Sequence, residues 1–183
     1  MNTKKIIASL TLVAGLAAAV TAQAEGKIYV GAKLGSADSD IPGFYDDALT
    51  AGIYGGYNML GQDAHIAANL NGGTLAVEGE VNTTTVKGKS TTGGGTKWDI
   101  TSLGAYAAYR HPLSRDFYLK GKIGLVHYDI NISAGTPAGI GTSTSLAAGI
   151  GAGWKIGPGR IEADVATYQG DLLQAGIGFH MAF

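Results

Sequence analysis

The side chains best suited to catalysis or metal binding in this 183-residue chain are its four histidines, His65, His111, His127 and His180. A hydroxyl nucleophile needs a histidine as its base and an acid that orients the histidine. The sequence contains no G-x-S-x-G motif, and no two histidines have the H-x-x-x-H spacing of a metal site. The absence of cysteine excludes thiol catalysis, disulfides and cysteine-ligated metals. We therefore predict that the protein is not an enzyme and has neither a metal site nor a cofactor.

One glycine-rich segment, residues 149–153, has the spacing G-x-G-x-G. A dinucleotide-binding loop of this kind must be followed by a helix. Here the glycines alternate with apolar residues in a pattern typical of a strand. We interpret them as small residues within a sheet.

The first 24 residues have the three parts of a secretory signal peptide. Lys4 and Lys5 precede an apolar run at 6–20, and Ala22-Gln23-Ala24 forms a small-x-small cleavage site. The apolar run is shorter than the roughly 20 residues that a transmembrane helix needs. We predict cleavage after Ala24, which leaves residues 25–183 as one domain.

The composition of the full chain, and its net charge after that cleavage, exclude several classes of protein. Removal of two of the 13 basic residues and none of the 14 acidic ones leaves a net charge of −3, which does not favour nucleic-acid binding. Charged residues make up 15% of the chain, against about a quarter in a soluble domain. The 30 glycines are too many for a helical protein.

Polar and apolar residues alternate through most of the remaining chain, which is the pattern of strands with two different faces. We predict eight strands, at 26–36, 49–59, 74–87, 96–110, 117–132, 142–156, 160–169 and 172–183. Several are long enough to cross a bilayer obliquely, and a sheet in a membrane must close because an open edge leaves backbone groups unpaired. The predicted fold is an all-β, eight-stranded antiparallel up-and-down transmembrane barrel.

The connections between these strands alternate in length, as they do in outer-membrane barrels. Short turns at 111–116 and 157–159 alternate with longer loops at 37–48, 88–95 and 133–141. The connection at 60–73 is too long for a tight turn, and we have no functional interpretation of it.

The charged residues of the strands share one face in this arrangement. If the apolar set meets lipid, the opposite set points into the barrel, where glycines leave space for long side chains. The predicted interior polar network consists of Lys33, Glu78, Glu80, Arg110, Lys120, Lys122, Lys155, Arg160, Glu162 and Asp164.

Large aromatic residues gather at one predicted end of the barrel, on the apolar face. With both termini on the periplasmic side, a periplasmic girdle would consist of Tyr57, Tyr109, Phe117, Trp154 and Phe183. The alternative is a soluble periplasmic lipocalin-like carrier with its apolar face inward. That barrel would have to expose a glycine-rich outer surface.

Three segments, KIYVGAKLGS, SLGAYAAYRHPLSRDFYLKGKIGLVHYD and GIGFHMAF, resemble the outer-membrane β-barrel domain family of OmpA-like, OmpX-like and opacity-type proteins. The resemblance implies export to the outer membrane of a Gram-negative bacterium, with lipid and lipopolysaccharide as surroundings. It also implies that the barrel-assembly machinery reads the last strand as a signal made up of Ile177, Phe179, Met181 and Phe183. The connection at 60–73 is longer than the usual turn of the family.

The function expected from these features is a structural or adhesin-like surface role. Eight strands leave an interior filled by side chains, whereas open pores use sixteen or more strands. The acidic loop at 37–48, with Phe44-Tyr45 near its centre, is the best candidate for contact with an extracellular ligand. The other alternative is an enzyme that modifies lipid, such as a lipid A deacylase. Deacylases of this size have a His-x-Ser pair where this chain has His127-Tyr128-Asp129.

Overall fold

The computed structural model describes residues 27–39, 46–60, 72–90, 96–133, 141–168 and 172–183. The predicted signal peptide and residues 61–71 of the long connection lie outside these ranges. No helix in the described part of the chain is long and apolar enough to cross a membrane.

The described residues form nine strands, most of them long. Their bounds are β1 Ile28–Ser39, β2 Ala48–Leu60, β3 Thr74–Val86, β4 Gly88–Ser90, β5 Thr96–Pro112, β6 Phe117–Ser133, β7 Thr142–Ile156, β8 Gly159–Tyr168 and β9 Leu172–Ala182.

The sheet closes on itself. Each strand from β5 onward pairs antiparallel with the next, and β9 pairs back onto β1. The remaining pairs are β1 with β2 and β2 with β3, while β3 and β4 both pair with β5. Because β4 follows β3 after Lys87 alone, the two make up one of eight barrel strands. The predicted eight-stranded antiparallel barrel is therefore confirmed.

Several strands run further than the sequence predicted. β1 continues to Ser39 and β2 begins at Ala48, so the predicted loop at 37–48 is shorter at both ends. The predicted loop at 88–95 begins with β4, which pairs with β5. Small and polar residues in these segments give little contrast between the two faces, so alternation could not mark where the strands end.

The turns define two different ends of the barrel. At the short-turn end, the backbone N–H groups of Leu113 and Ser114 donate to the carbonyl of Phe117. At the same end, Gly157 has a φ of 57° and precedes Pro158. This suits a type II′ hairpin, which needs a positive φ only at its first central position. Ile28 and Ala182 also lie here, and we call the opposite end the long-loop end.

The outer face of the barrel is apolar. Ile150 is 71% exposed, Leu34 is 70% exposed and Ile177 is 63% exposed. Charged side chains of the same strands, such as Glu78 and Lys122, are buried inside. A large exposed apolar surface needs an apolar partner. The face that the soluble-carrier alternative would turn inward therefore points outward.

Candidate functional site

The buried charges of the barrel form two rings of ion pairs, one above the other. Alternate positions of a strand point to the same face, so β3 carries Glu78 and Glu80 inward and β6 carries Lys120 and Lys122 inward. β8 adds Glu162 and Asp164. Each of these strands therefore has two consecutive inward positions, and together these positions form two levels of charged side chains.

The first ring, nearer the short-turn end, joins Arg110, Lys120, Glu78 and Glu162. The Arg110 guanidinium lies 2.9 Å from Glu78 Oε2 through Nη2 and 2.8 Å from Glu162 Oε1 through Nε. Lys120 Nζ lies 2.9 Å from an oxygen of each of the same two carboxylates. Each base therefore contacts both acids, and the ring has no net charge.

The second ring repeats this arrangement with Lys33, Lys122, Glu80 and Asp164. Lys33 Nζ lies 2.9 Å from Glu80 and 2.6 Å from Asp164. Lys122 Nζ lies 2.9 Å from each of them. The alternation of two bases with two acids again leaves the ring neutral. Buried charges are tolerated when they are paired and hydrogen-bonded in this way.

Polar side chains around the rings donate further hydrogen bonds to carboxylate oxygens that already contact a base. Tyr29 donates to Glu78 at 2.8 Å, and Tyr118 donates to Glu162 at 2.6 Å. Asn82 donates to Glu80 at 2.7 Å. The Arg110 guanidinium also lies 4.6 Å from the ring centre of Tyr29, within the range of a cation–π contact. Three of the four carboxylates therefore accept hydrogen bonds from neutral side chains as well as from bases.

Glycines opposite the rings provide the space that these side chains need. A Cβ on Gly153 would overlap the Tyr118 ring, and a Cβ on Gly176 would overlap the Lys33 side chain. The glycines that resembled a dinucleotide loop at 149–153 lie inside β7. They therefore serve packing within the barrel.

Between the two rings the lumen is almost closed. A cavity of about 10 Å³ is lined by Lys33, Glu80 and Asp164 from the second ring and by Glu78, Lys120 and Glu162 from the first. This is about the smallest space that holds one water molecule. The rings therefore leave no wide passage between them.

Toward the long-loop end the interior contains a cluster of buried apolar side chains, which was not predicted from the sequence. Trp98, Ile100, Val126, Ile130 and Leu172 belong to one buried cluster. Trp98 Nε1 donates to the Asp46 carbonyl at 3.0 Å. A signal was present, because Trp98 and Ile100 share the even-numbered, inward parity of Arg110 on β5. The interior is thus charged at the rings, and beyond them it holds this apolar cluster together with buried polar side chains such as Asn82 and Gln174.

Two residues of the predicted interior network lie outside both rings. The Lys155 side chain is exposed, and Arg160 is half-buried with its guanidinium 5.6 Å from the ring centre of Tyr118. Their parity is inward, but β7 and β8 join at Gly157-Pro158 only a few residues away. Because they lie so close to this turn, their side chains are at the opening of the barrel and do not reach the two rings. The eight other predicted residues lie in the rings.

The five predicted girdle residues lie around the short-turn end. Trp154 is 56% exposed and packs edge-to-face on Phe117, with ring centres 6.0 Å apart. Tyr57 is exposed, Tyr109 is half-buried, and the half-buried Phe183 donates its backbone N–H to the Ile28 carbonyl at 2.8 Å. Their contact with a membrane interface stays a prediction.

The predicted assembly signal lies on β9 and just after it. Ile177, Phe179 and Met181 are exposed on the outer face, and Phe183 is half-buried. Its recognition by the barrel-assembly machinery stays a prediction.

The histidines occupy three different surroundings. His180 is buried, with Nδ1 2.9 Å from the Tyr54 hydroxyl and 3.9 Å from Glu162 Oε2. His127 is exposed on the outer face, with Nδ1 2.8 Å from Thr144 Oγ1. His111 lies beside Tyr109, and His65 lies outside the described residues. In the described ranges no group of histidines and carboxylates could hold a metal ion.

Comparison with known proteins gives both a family and a fold. The family described as outer membrane protein beta-barrel domain matches residues 8–171, while no curated protein sequence matches the chain.

Three solved structures share the fold at low identity. Ail, the attachment invasion locus protein of Yersinia pestis, is 16% identical with a TM-score of 0.54 over 86% of this chain and 97% of Ail. Neisserial surface protein A is 15% identical with a TM-score of 0.53 over 85% and 96%. OprG of Pseudomonas aeruginosa is 11% identical with a TM-score of 0.57 over 87% and 97%. At these identities the similarity shows the fold alone.

Proposed function

This chain belongs to the outer membrane protein beta-barrel domain family, and from this premise we propose that it is a non-catalytic barrel with a structural or adhesin-like surface role. Its place in the outer membrane of a Gram-negative bacterium follows from the family. The filled interior and the surface role are the proposal. We further propose export by the predicted signal peptide at 1–24 and insertion by the barrel-assembly machinery among lipid and lipopolysaccharide.

The observation that carries the proposal is the closure of the lumen. The two neutral rings leave a cavity of about 10 Å³ between them, and the apolar cluster around Trp98 and Ile130 occupies the interior beyond them. Eight-stranded barrels have interiors just wide enough for side chains to fill. In a barrel filled in this way, the loops and the outer face are the surfaces that remain available for binding.

The filled interior predicts very low ion conductance. In planar bilayers the refolded protein should give current no different from protein-free bilayers, because both rings and the apolar cluster block the passage. A sixteen-stranded porin under the same salt and voltage serves as the positive control. Stepwise current from the purified barrel that scales with protein concentration would contradict the filled interior.

The surface role is best supported by the acidic loop that begins after β1. Asp46 and Asp47 are exposed at the long-loop end, and Asp46 lies 3.2 Å from Lys89. Lys87 is paired with Asp99 at the same end. Ail has been solved with a heparin analogue, sucrose octasulfate. Of the lysines near the loop, Lys87 and Lys89 are paired with aspartates, and the loop itself is acidic, so we propose a cationic rather than a polyanionic partner surface.

An adhesion assay tests this role. Bacteria that display the full chain should bind cultured epithelial cells more strongly than bacteria that lack it. Removal of residues 40–45, which lie between β1 and β2, should abolish the difference, as should the double substitution Asp46→Asn/Asp47→Asn. Asp116→Asn at the short-turn end is the matched control. Equal binding by the loop variants and the full chain would contradict the loop assignment.

One contact favours a second candidate function, the hydrolysis of lipid acyl esters. His127 Nδ1 lies 2.8 Å from the Thr144 hydroxyl on the exposed outer face, which is a base beside a hydroxyl at a lipid-facing position. A base of this kind must itself be oriented by an acid. Among the described residues no carboxylate is hydrogen-bonded to His127, so the arrangement is incomplete and we favour the non-catalytic role.

The lipid A of cells with and without the chain separates the two functions. We expect identical lipid A mass spectra from an empty strain, from cells that express the chain and from cells that express His127→Ala. Loss of one acyl chain from lipid A in the presence of the chain, reversed by His127→Ala, would establish the enzyme and overturn the non-catalytic role.

A further inference from the structure

A second and larger cavity opens at the short-turn end, separate from the one between the rings. Its volume is about 190 Å³, and its charged and aromatic lining includes Arg110, Arg115, Asp116, Tyr118, Lys155 and Arg160. This is smaller than the roughly 300 Å³ at which pockets for drug-sized molecules begin. The cavity therefore suits a small polar group.

The lining carries an excess of positive charge. The charge of Arg110 is balanced inside the first ring by Glu78 and Glu162. In the described ranges Arg115, Lys155 and Arg160 form no ion pair, and Asp116 is the single carboxylate in the lining. Three cations thus face one acid.

Two of these cations lie directly across from each other. Lys155 on β7 pairs in register with Arg160 on β8, and both occupy inward positions of their strands. Like charges directly opposite on neighbouring strands destabilise a sheet. An anion between them would turn this repulsion into attraction.

Arg110 gives an independent indication of a ligand. Its side chain is 3% exposed and lines the cavity, and Nη1 has no hydrogen-bond partner, whereas Nε and Nη2 bond to the first ring. A buried charged donor without an acceptor costs free energy. An oxyanion in the cavity would supply that acceptor.

We propose that this cavity binds a phosphate group through Lys155, Arg160 and the free edge of Arg110. A phosphate carries about −1.5 to −2 charges at neutral pH, which matches three cations opposed by one carboxylate. Guanidinium groups bind phosphate oxygens through paired N–H donors. The same chemistry is offered by inorganic phosphate and by the phosphomonoester headgroup of a lipid. The site is independent of the proposed surface role at the long-loop end.

The test measures inorganic phosphate binding to the refolded full chain in an uncharged detergent, by ³¹P line broadening. We expect a dissociation constant of about 1 mM or lower. The substitutions Lys155→Gln and Arg160→Gln should each weaken binding by about tenfold, since each removes a charge-assisted hydrogen bond. Lys27→Gln is the matched control, because Lys27 is exposed at the same end but does not line the cavity. Heat-dependent gel migration of each variant checks that the barrel has folded.

The outcomes separate a site from general attraction and identify the source of the phosphate. Equal weakening by Lys155→Gln and Lys27→Gln would overturn the site in favour of diffuse charge, and no binding of phosphate would overturn it outright.

A second set of titrations uses nanodiscs of phosphatidylcholine with or without phosphatidic acid. Weaker phosphate binding in the presence of phosphatidic acid identifies a lipid headgroup as the ligand. Unchanged binding that still depends on Lys155 and Arg160 identifies soluble phosphate.

Discussion

Glu162→Gln is expected to lower the free energy of unfolding by about 3–5 kcal/mol, the usual cost of removing one partner from a buried ion pair. Glu162 accepts from Arg110, Lys120 and Tyr118 in the first ring. With its charge removed, two buried cations must share Glu78 alone. Denaturant unfolding from lipid vesicles, followed by tryptophan fluorescence, measures the change.

A compensating double variant distinguishes charge imbalance from loss of shape. Lys120→Met together with Glu162→Gln leaves Arg110 paired with Glu78, so the ring is neutral again. Replacing a whole buried pair is often close to neutral in free energy, and we expect the double variant to recover more than half of the loss. Asp47→Asn, at an exposed position, should change stability by less than about 0.5 kcal/mol. A cost of Glu162→Gln as small as that of Asp47→Asn would show that the rings do not hold the barrel together.

The sequence predicted the strands well because each strand separates two unlike environments. On β9 the residues from Leu172 to Ala182 alternate between buried and exposed, and that period of two is visible in the residue types. The prediction was least accurate around Ala37, Ala48 and Gly88. There the side chains on both faces are small or polar, so the pattern carried no information on where pairing stops.

Alternation also predicted which charges point inward but could not predict their partners. Glu78 on β3 meets Lys120 on β6, with β5 lying between the two strands. Such contacts depend on the stagger between strands and on the curvature of the closed barrel. Neither the stagger nor the curvature can be derived from the alternation of residues along a single strand. For the same reason, alternation does not show how far along the barrel axis a residue lies. Lys155 and Arg160 were therefore predicted to belong to the same interior network as the ring residues.

The apolar cluster was missed because of an assumption. The prediction from sequence assigned apolar residues to lipid and polar residues to the lumen. Val126 and Ile130 share the parity of Lys120 and Lys122 on β6 and are buried, which contradicts that division. A barrel of eight strands is narrow enough to be filled by either kind of side chain. Parity was therefore a better guide to the interior than polarity.

The division of the interior suggests different roles for the two ends. The rings and the cationic cavity lie toward the short-turn end, where the described chain begins and ends. The apolar cluster lies toward the long-loop end and includes Trp98, which bonds to the carbonyl of Asp46 beside β2. This contact ties the acidic loop to the filled interior. A surface role for that loop thus has a rigid support beneath it.

Ile177→Lys is expected to destabilise the barrel by about 2–4 kcal/mol, the cost of a lysine on the lipid face near the bilayer midplane. Ile177 is 63% exposed on the outer face and lies near the middle of β9, between Leu34 and Ala163 on the neighbouring strands. Its side chain makes no contribution to the lumen, so loss of interior packing cannot produce this effect. The measurement is again the free energy of unfolding from lipid vesicles.

The depth dependence of this cost provides the control. Leu173, on the same face of β9 but beside its first residue, is 47% exposed. Because the cost of a lysine falls to about 0–1 kcal/mol near the membrane interface, Leu173→Lys should be much milder than Ile177→Lys. A soluble barrel would tolerate both substitutions equally, since both side chains already lie on its surface. Equal free energies for the two variants would therefore contradict the lipid-facing assignment, whereas a gradient from Leu173 to Ile177 would locate the hydrocarbon layer along β9.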